Sequence, residues 1–231
     1  MIAYKTSENA RILFVGINPH PGSYKRGVPF SNNKMFWYLL NLAGLIDEAQ
    51  SDLKDDRLLK RIYDTKFVQK YGLNFLNLVD RPTIDVTHLK NGEEKPGVRR
   101  VLKTIRACKP KVVCFIGKIA FKTFYGHRKC EWGWNVGIND SRVYLMHFPI
   151  RGPAEIRVKE LREVKAASED QKFEDIKCQR RSASITRSLV VCDEMEKTDR
   201  RVTPNRMVRL PGRTKRLVTA DHPRFSATSG G

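Results

Sequence analysis

Apolar residues gather into four short runs: RILFVGI (Arg11–Ile17), LNFLNLV (Leu73–Val79), KVVCFIG (Lys111–Gly117) and VYLMHF (Val143–Phe148). Such runs read as buried strands of a parallel sheet. KMFWYLLNLAGL follows the first run with helical spacing; Asn32 or Asn33 can cap it and Gly44 can end it. Asp55 to Tyr71, Val98 to Cys108, Lys118 to Tyr125 and Ala154 to Val164 read as further helices, with Pro110 just beyond the second of these. NPHPGSYKRGVPFSNN is dense in Pro, Gly, Ser and Asn and reads as a long loop at the carboxyl end of the first strand. Strands alternating with helices imply an α/β fold with right-handed crossovers and a mostly parallel sheet. Ligands in such folds bind where loops leave the strand carboxyl ends. The loops after Ile17, Val79, Gly117 and Phe148 should therefore surround one cleft.

The pattern breaks down from about Ser168. Residues 170–231 hold 14 Lys/Arg against 8 Asp/Glu, a net of +6, and SLVVC (Ser188–Cys192) is the one strand-like run there. The expected organisation is one domain over residues 1–168 and a basic, disordered tail over 169–231. The tail either adds non-specific affinity for phosphates or has no function of its own.

Charge narrows the partner. The 231 residues carry a formal net charge of +19 and a pI near 10.0, a field that attracts a polyanion such as nucleic acid. The bland alternatives are a solvated basic surface or association with the ribosome. No run of about 18 apolar residues offers a membrane span. MIAYKTSENARILFVGI lacks the pattern of a secretory signal, so the expected location is intracellular, cytoplasmic in a prokaryote or nuclear in a eukaryote. The five cysteines form neither C-x-x-C nor a His-paired zinc spacing, which argues for reduced thiols and against a metal or iron–sulfur site. No cofactor is expected. A G-x-G-x-x-G after the first strand and a P-loop are both missing, which argues against dinucleotide and nucleotide chemistry.

The candidate chemistry lies in GINPHPGSYKRGVPF (Gly16–Phe30). An Asn at this strand exit can hold a water through its carbonyl oxygen, although Asn-Pro is also an ordinary turn pair. GINP, a Gly/Ser-rich loop, VPF and then FW on a helix resemble the mismatch-specific uracil-DNA glycosylases, bacterial relatives of thymine-DNA glycosylase. LVDRPT (Leu78–Thr83), IGKIAF (Ile116–Phe121) and KCEWG (Lys129–Gly133) follow in that family's order, over about residues 10–165. The resemblance implies a three-layer α/β/α sandwich around a four-stranded, mostly parallel sheet. It also implies a monofunctional glycosylase acting as a monomer on double-stranded DNA with G:U, and by extension G:T, mismatches. Such an enzyme must flip the base out of the stack.

Residue by residue, Asn18 matches the position that orients the attacking water. Where other branches of the superfamily carry Asp, Asn lacks the charge, so slow chemistry is expected. Phe30 matches the aromatic that stacks on the flipped base, with core packing as the alternative, and its N–H and that of Ile17 are candidate contacts to uracil. Asn77 stands on the second strand, where related enzymes read the pyrimidine edge; a turn-forming amide is the alternative. His20 replaces a small residue and would block the thymine methyl, or else points to the surface. Ser23 matches a small polar residue near the pocket. In MHFPIRGPAEIR (Met146–Arg157) the wedge loop keeps Pro149 and Gly152 but otherwise departs from the family pattern, which weakens the expectation of strict guanine-opposite reading. There Ile150 is the candidate wedge, Arg151 the contact to the opposite guanine and His147 a contact to the uracil anion or a phosphate. Lys25, Arg26, Lys118 and Arg151 are candidate phosphate contacts, and Lys and Arg elsewhere read as solvated. Two alternatives stay open: a glycosylase for deaminated purines such as hypoxanthine, and a non-catalytic DNA-binding relative.

Overall fold

The computed structural model describes residues 1–126 and 129–170; the expected tail, from residue 171 on, lies outside the described residues. The elements run β1 (Ile12–Gly16), α1 (Pro21–Arg26), α2 (Met35–Leu42), α3 (Gln50–Lys54), α4 (Asp56–Thr65), β2 (Leu73–Asn77), α5 (Lys95–Cys108), β3 (Val112–Ile116), α6 (Lys118–Tyr125), β4 (Gly133–Ile138), β5 (Ser141–Met146) and α7 (Ala154–Glu169), with a 3-10 turn at Val86–His88 before α5. The sheet order is β2-β1-β3-β5-β4. All neighbours are parallel except β4, which pairs antiparallel with β5. Every residue of β1, β2 and β3 is buried. That is possible because both sheet faces are covered, which is why these strands read as unbroken apolar runs. Phe14 packs on one face with Phe36, Trp37, Tyr63, Phe67 and Leu161, from α2, α4 and α7 and the turn after α4. Leu13 and Val15 pack on the other with Val101, Ile105 and Phe121, from α5 and α6.

The sandwich is as expected, but the sheet has five strands rather than four. β4 escaped the sequence pattern because it is an edge strand holding two glycines, with Trp134 and Val136 exposed. The segment expected to be one long loop contains α1. Pro21 sets the first-turn φ, the His20 ring caps the helix, and Gly27 at φ 68° stops it. The helix expected over Asp55–Tyr71 ends at Thr65, and turns then carry Phe67, Val68 and Tyr71 into the core. α5 starts earlier than Val98, at Lys95 with Pro96 in its first turn, and α7 runs past Val164 to Glu169. Asn33 Oδ1 accepts from the first amide of α2, Met35 N–H, at 3.1 Å. Gly97 is needed for close approach: a Cβ there would lie 1.7 Å from the Leu78 carbonyl oxygen. α5 can thereby rest on the chain leaving β2, which helps shape the cleft end of the sheet. Among the described residues no helix is long and apolar enough to cross a membrane.

Candidate functional site

A cavity of about 550 Å³ opens at the carboxyl ends of β1, β2, β3 and β5. Its wall includes Ile17, Asn18, His20, Ser23, Phe30 and Asn77, together with Lys118, Ile150 and Arg151. The structure thus brings together nine residues that the sequence suggested separately. Lys25, His147 and Gly152 stand off the wall.

Asn18 lies two residues beyond the end of β1. Its Nδ2 donates to Thr83 Oγ1 at 2.7 Å and to the Pro19 carbonyl at 3.3 Å. Thr83 Oγ1 donates in turn to the Asp85 carbonyl at 2.7 Å. Thr83 has one hydroxyl proton and has spent it, so toward Asn18 it can only accept. The amide is therefore held one way round, with nitrogen toward Thr83 and Oδ1 on the other side. No donor among the described residues reaches Oδ1, which remains available as a neutral acceptor. Thr83 lies in LVDRPT, but its role was not legible there; the pairing depends on a hydrogen bond across 65 residues.

Phe30 has φ 53°, a left-handed conformation that strains a bulky L-residue. Its neighbours maintain it. Trp37 Nε1 donates to the Pro29 carbonyl at 2.7 Å, Ser31 Oγ donates to the Val28 carbonyl at 2.9 Å, and Asn32 N–H donates to Ser23 Oγ at 3.0 Å. Ser23 is thus tied to the loop that presents Phe30. The Phe30 ring lies 4.8 Å from Phe36, 5.8 Å from Phe75 and 6.0 Å from Phe148, centroid to centroid. Phe148 also lines the cavity, a role the sequence did not suggest.

Asn77 closes β2 and is 2% exposed. A Cβ at Gly16 would fall 2.5 Å from Asn77 Oδ1, so the glycine preceding Ile17-Asn18 is what lets this amide approach. Arg100 donates to the Asn77 carbonyl at 2.7 Å and grips Asp80 through two bonds of 2.7 and 2.8 Å. The Tyr4 hydroxyl lies beside Asn77 and Asp80; burial first, then Asp80, pushes its pKa up. His20 Nδ1 accepts from Gly22 N–H at 3.1 Å, so the neutral ring carries its proton on Nε2.

Three cations differ in their commitments. Arg26 pairs with Asp56 at 2.7 Å. Lys118 holds its ammonium 4.7 Å from the Trp132 ring centroid, while Lys25 is exposed on α1. Trp132, from the KCEWG block, lines the cavity and stacks on His147 at 3.7 Å and 19°. His147 is anchored by buried Glu160: Nδ1 meets Oε1 at 2.5 Å and the backbone N–H meets Oε2 at 3.0 Å. The imidazole therefore supports Trp132 from behind. Buried Arg157 secures the loop after β5, donating to the Phe148 carbonyl at 2.8 Å and to the Pro153 carbonyl. Gly152 stands at φ 80°, which strains any residue with a Cβ, and such an atom would lie a tight 3.1 Å from that guanidinium. Ile150 is half exposed at the tip of this loop. Asp85 also lines the cavity; the Thr87 N–H chiefly holds its carboxyl below the usual range, and the charges of His88 and Arg151 add to this.

The family model for the uracil DNA glycosylase superfamily matches residues 3–176. The chain belongs to the uracil DNA glycosylase superfamily. Members are DNA glycosylases, hydrolases that act in DNA repair, so the superfamily assigns DNA as substrate and a uracil-DNA glycosylase type of function.

Proposed function

We propose that the protein extrudes uracil, chiefly opposite guanine, from duplex DNA and hydrolyses its N-glycosidic bond with a water held by Asn18 Oδ1. The observation that carries this reading is the one-way orientation of the Asn18 amide by Thr83, which leaves an acceptor oxygen at the cavity wall. The water oxygen bonds to the sugar C1′ as the C1′–N1 bond breaks, and the bonding pair leaves on the base as a uracil anion. The water's proton passes to solvent and the anion takes one back, giving free uracil and an abasic sugar. Asn18 orients the water but is no base, and it has no charge to stabilise the cationic sugar, so turnover is slow.

The other wall residues have matching tasks. Phe30 stacks on the everted base, an interaction worth about 1–3 kcal/mol. The N–H groups of Ile17 and Phe30 face the charge developing on the leaving uracil. Asn77 reads the pyrimidine edge, and the His20 ring crowds the place of a 5-methyl group. Ile150 fills the gap in the stack, Arg151 contacts the guanine left behind, and Lys118 and Lys25 meet phosphates.

The test is single-turnover cleavage of duplexes carrying one G:U, A:U, G:T or G:hypoxanthine pair, read as alkali-induced strand breaks. G:U should be cut fastest and G:T much more slowly. Asn18→Ala should bind the G:U duplex and leave it intact. Breaks confined to hypoxanthine would overturn the uracil assignment, and full activity in Asn18→Ala would overturn the role of the amide.

A further inference from the structure

Between Glu94 and Glu131 the chain has no Asp or Glu and eleven Lys or Arg. The structure turns this into a surface. α5 and α6 together cover one sheet face; they carry seven Lys or Arg and no acid. The helices of the opposite layer mix their charges, with four acids and four bases on α7 and two acids and three bases on α4. The asymmetry lies between layers of the sandwich, and neither composition nor the cavity accounts for it.

Four of these cations are exposed on α5: Lys95, Arg99, Lys103 and Arg106. At about 100° per residue they fall within a sector of roughly 80° and extend over roughly 16 Å of helix axis. Arg100, which points elsewhere, is spent on Asp80. The side chains of the four find no acidic partner among the described residues, so their charge is uncompensated. Arg99, Lys103 and Arg106 also line an open depression of about 500 Å³ with Leu102 and Ala107. None of the four lines the cavity at the strand exits. A row of unpaired cations over this length matches a stretch of duplex backbone, which presents a phosphate about every 3.4 Å per strand.

We infer that the exposed face of α5 is a second DNA-binding surface, which grips the phosphates of undamaged duplex independently of the base cavity. It rests on the glycosylase reading only in taking duplex DNA as the polyanion. Its contribution is sequence-independent and electrostatic. It would hold the protein on DNA between lesions, or grip a segment beside the one being opened.

The experiment compares the full chain with the variant Arg99→Gln/Lys103→Gln/Arg106→Gln. A control variant, Lys159→Gln/Arg162→Gln/Lys165→Gln, removes as much charge from α7. Affinity for an undamaged duplex is measured against salt. Each lost phosphate contact lowers the slope of log K against log salt by about 0.9, so three lower it by about 2.7. Between about 50 and about 200 mM salt, the α5 variant should then lose about 40-fold less affinity than the parent. The α7 control should keep the parent slope. Single-turnover cleavage at saturating protein should be the same in all three.

Equal slopes in the α5 variant and the parent would overturn the inference, as would an equal drop in the α7 control. A drop seen with single-stranded RNA but not with duplex DNA would overturn the choice of partner. Failure of the parent to cut any deaminated base, with the slope change intact, would sink the glycosylase reading and leave this surface standing.

Discussion

Thr83→Val separates holding the Asn18 amide from merely packing beside it. Valine keeps the shape and removes the hydroxyl that accepts from Asn18 Nδ2 at 2.7 Å. What remains is the longer bond to the Pro19 carbonyl at 3.3 Å, so the amide is freer to rotate and to turn its nitrogen toward the water. A hydrogen bond of this kind contributes about 1–1.5 kcal/mol. If all of it serves to keep Oδ1 on the water, its loss slows the chemical step by about 5- to 13-fold. Asn18→Ala removes the acceptor that positions the water, and its cost should be about 100-fold. Because Thr83 acts through Asn18, the two losses should not add: the double variant should cleave at the rate of Asn18→Ala alone. Thr83→Ser, which retains the hydroxyl, should stay near the parent. The assay is single-turnover cleavage of a G:U duplex, with thermal melts to confirm that each variant is folded. A parental rate in Thr83→Val, or a double variant slower than Asn18→Ala by the full factor of Thr83→Val, would refute the reasoning.

Phe30→Ala should lower kcat/KM on G:U duplex by about 5- to 150-fold, the worth of a stacked base, with little change in affinity for undamaged DNA; an unchanged kcat/KM would remove Phe30 from the base pocket. Gly97→Ala sets a helix-propensity gain of about 1 kcal/mol against a Cβ placed 1.7 Å from the Leu78 carbonyl oxygen. The clash, at about 3 kcal/mol, should win by about 2 kcal/mol and lower Tm by roughly 4–8 °C, as calorimetry would show. Glu93 has its carboxyl pKa pulled down to about 2, first by the Arg81 guanidinium and then by the Lys90 N–H. A pKa depressed on folding stabilises the fold above the unfolded value and loses that contribution as pH falls through the folded one. Glu93→Gln should therefore unfold more easily than the parent at neutral pH, the difference shrinking below about pH 4.5 and vanishing near about pH 2. A difference that persists at that acidity would refute the ion pair as its source.

Much of the architecture was legible because burial on both sides forces a strand to be apolar throughout. β1, β2 and β3 announced themselves in this way, and so did the cleft end where their loops emerge. β4 stayed hidden because a half-exposed edge strand is under no such constraint. α1 was concealed within residues typical of loops, since a six-residue helix is defined by its proline start and glycine stop rather than by periodicity. At the site, Asn18 and Phe30 could be picked out from the order of the short blocks around them. The supporting residues Thr83, Phe148, Glu160 and Arg157 could not, because each acts across a gap in sequence: 65 residues for Thr83 to Asn18, and 13 for Glu160 to His147.

Taken by itself, the order of residues determined which segments are buried, that strands and helices alternate, that the chain is strongly basic, and which amide and which ring stand at the first strand exit. Only the tertiary structure decided which way that amide faces, what holds Phe30 in a left-handed turn, and that cations scattered from Lys95 onward share one face. Burial and charge are properties each residue carries with it, whereas orientation and juxtaposition exist only once distant parts of the chain have met.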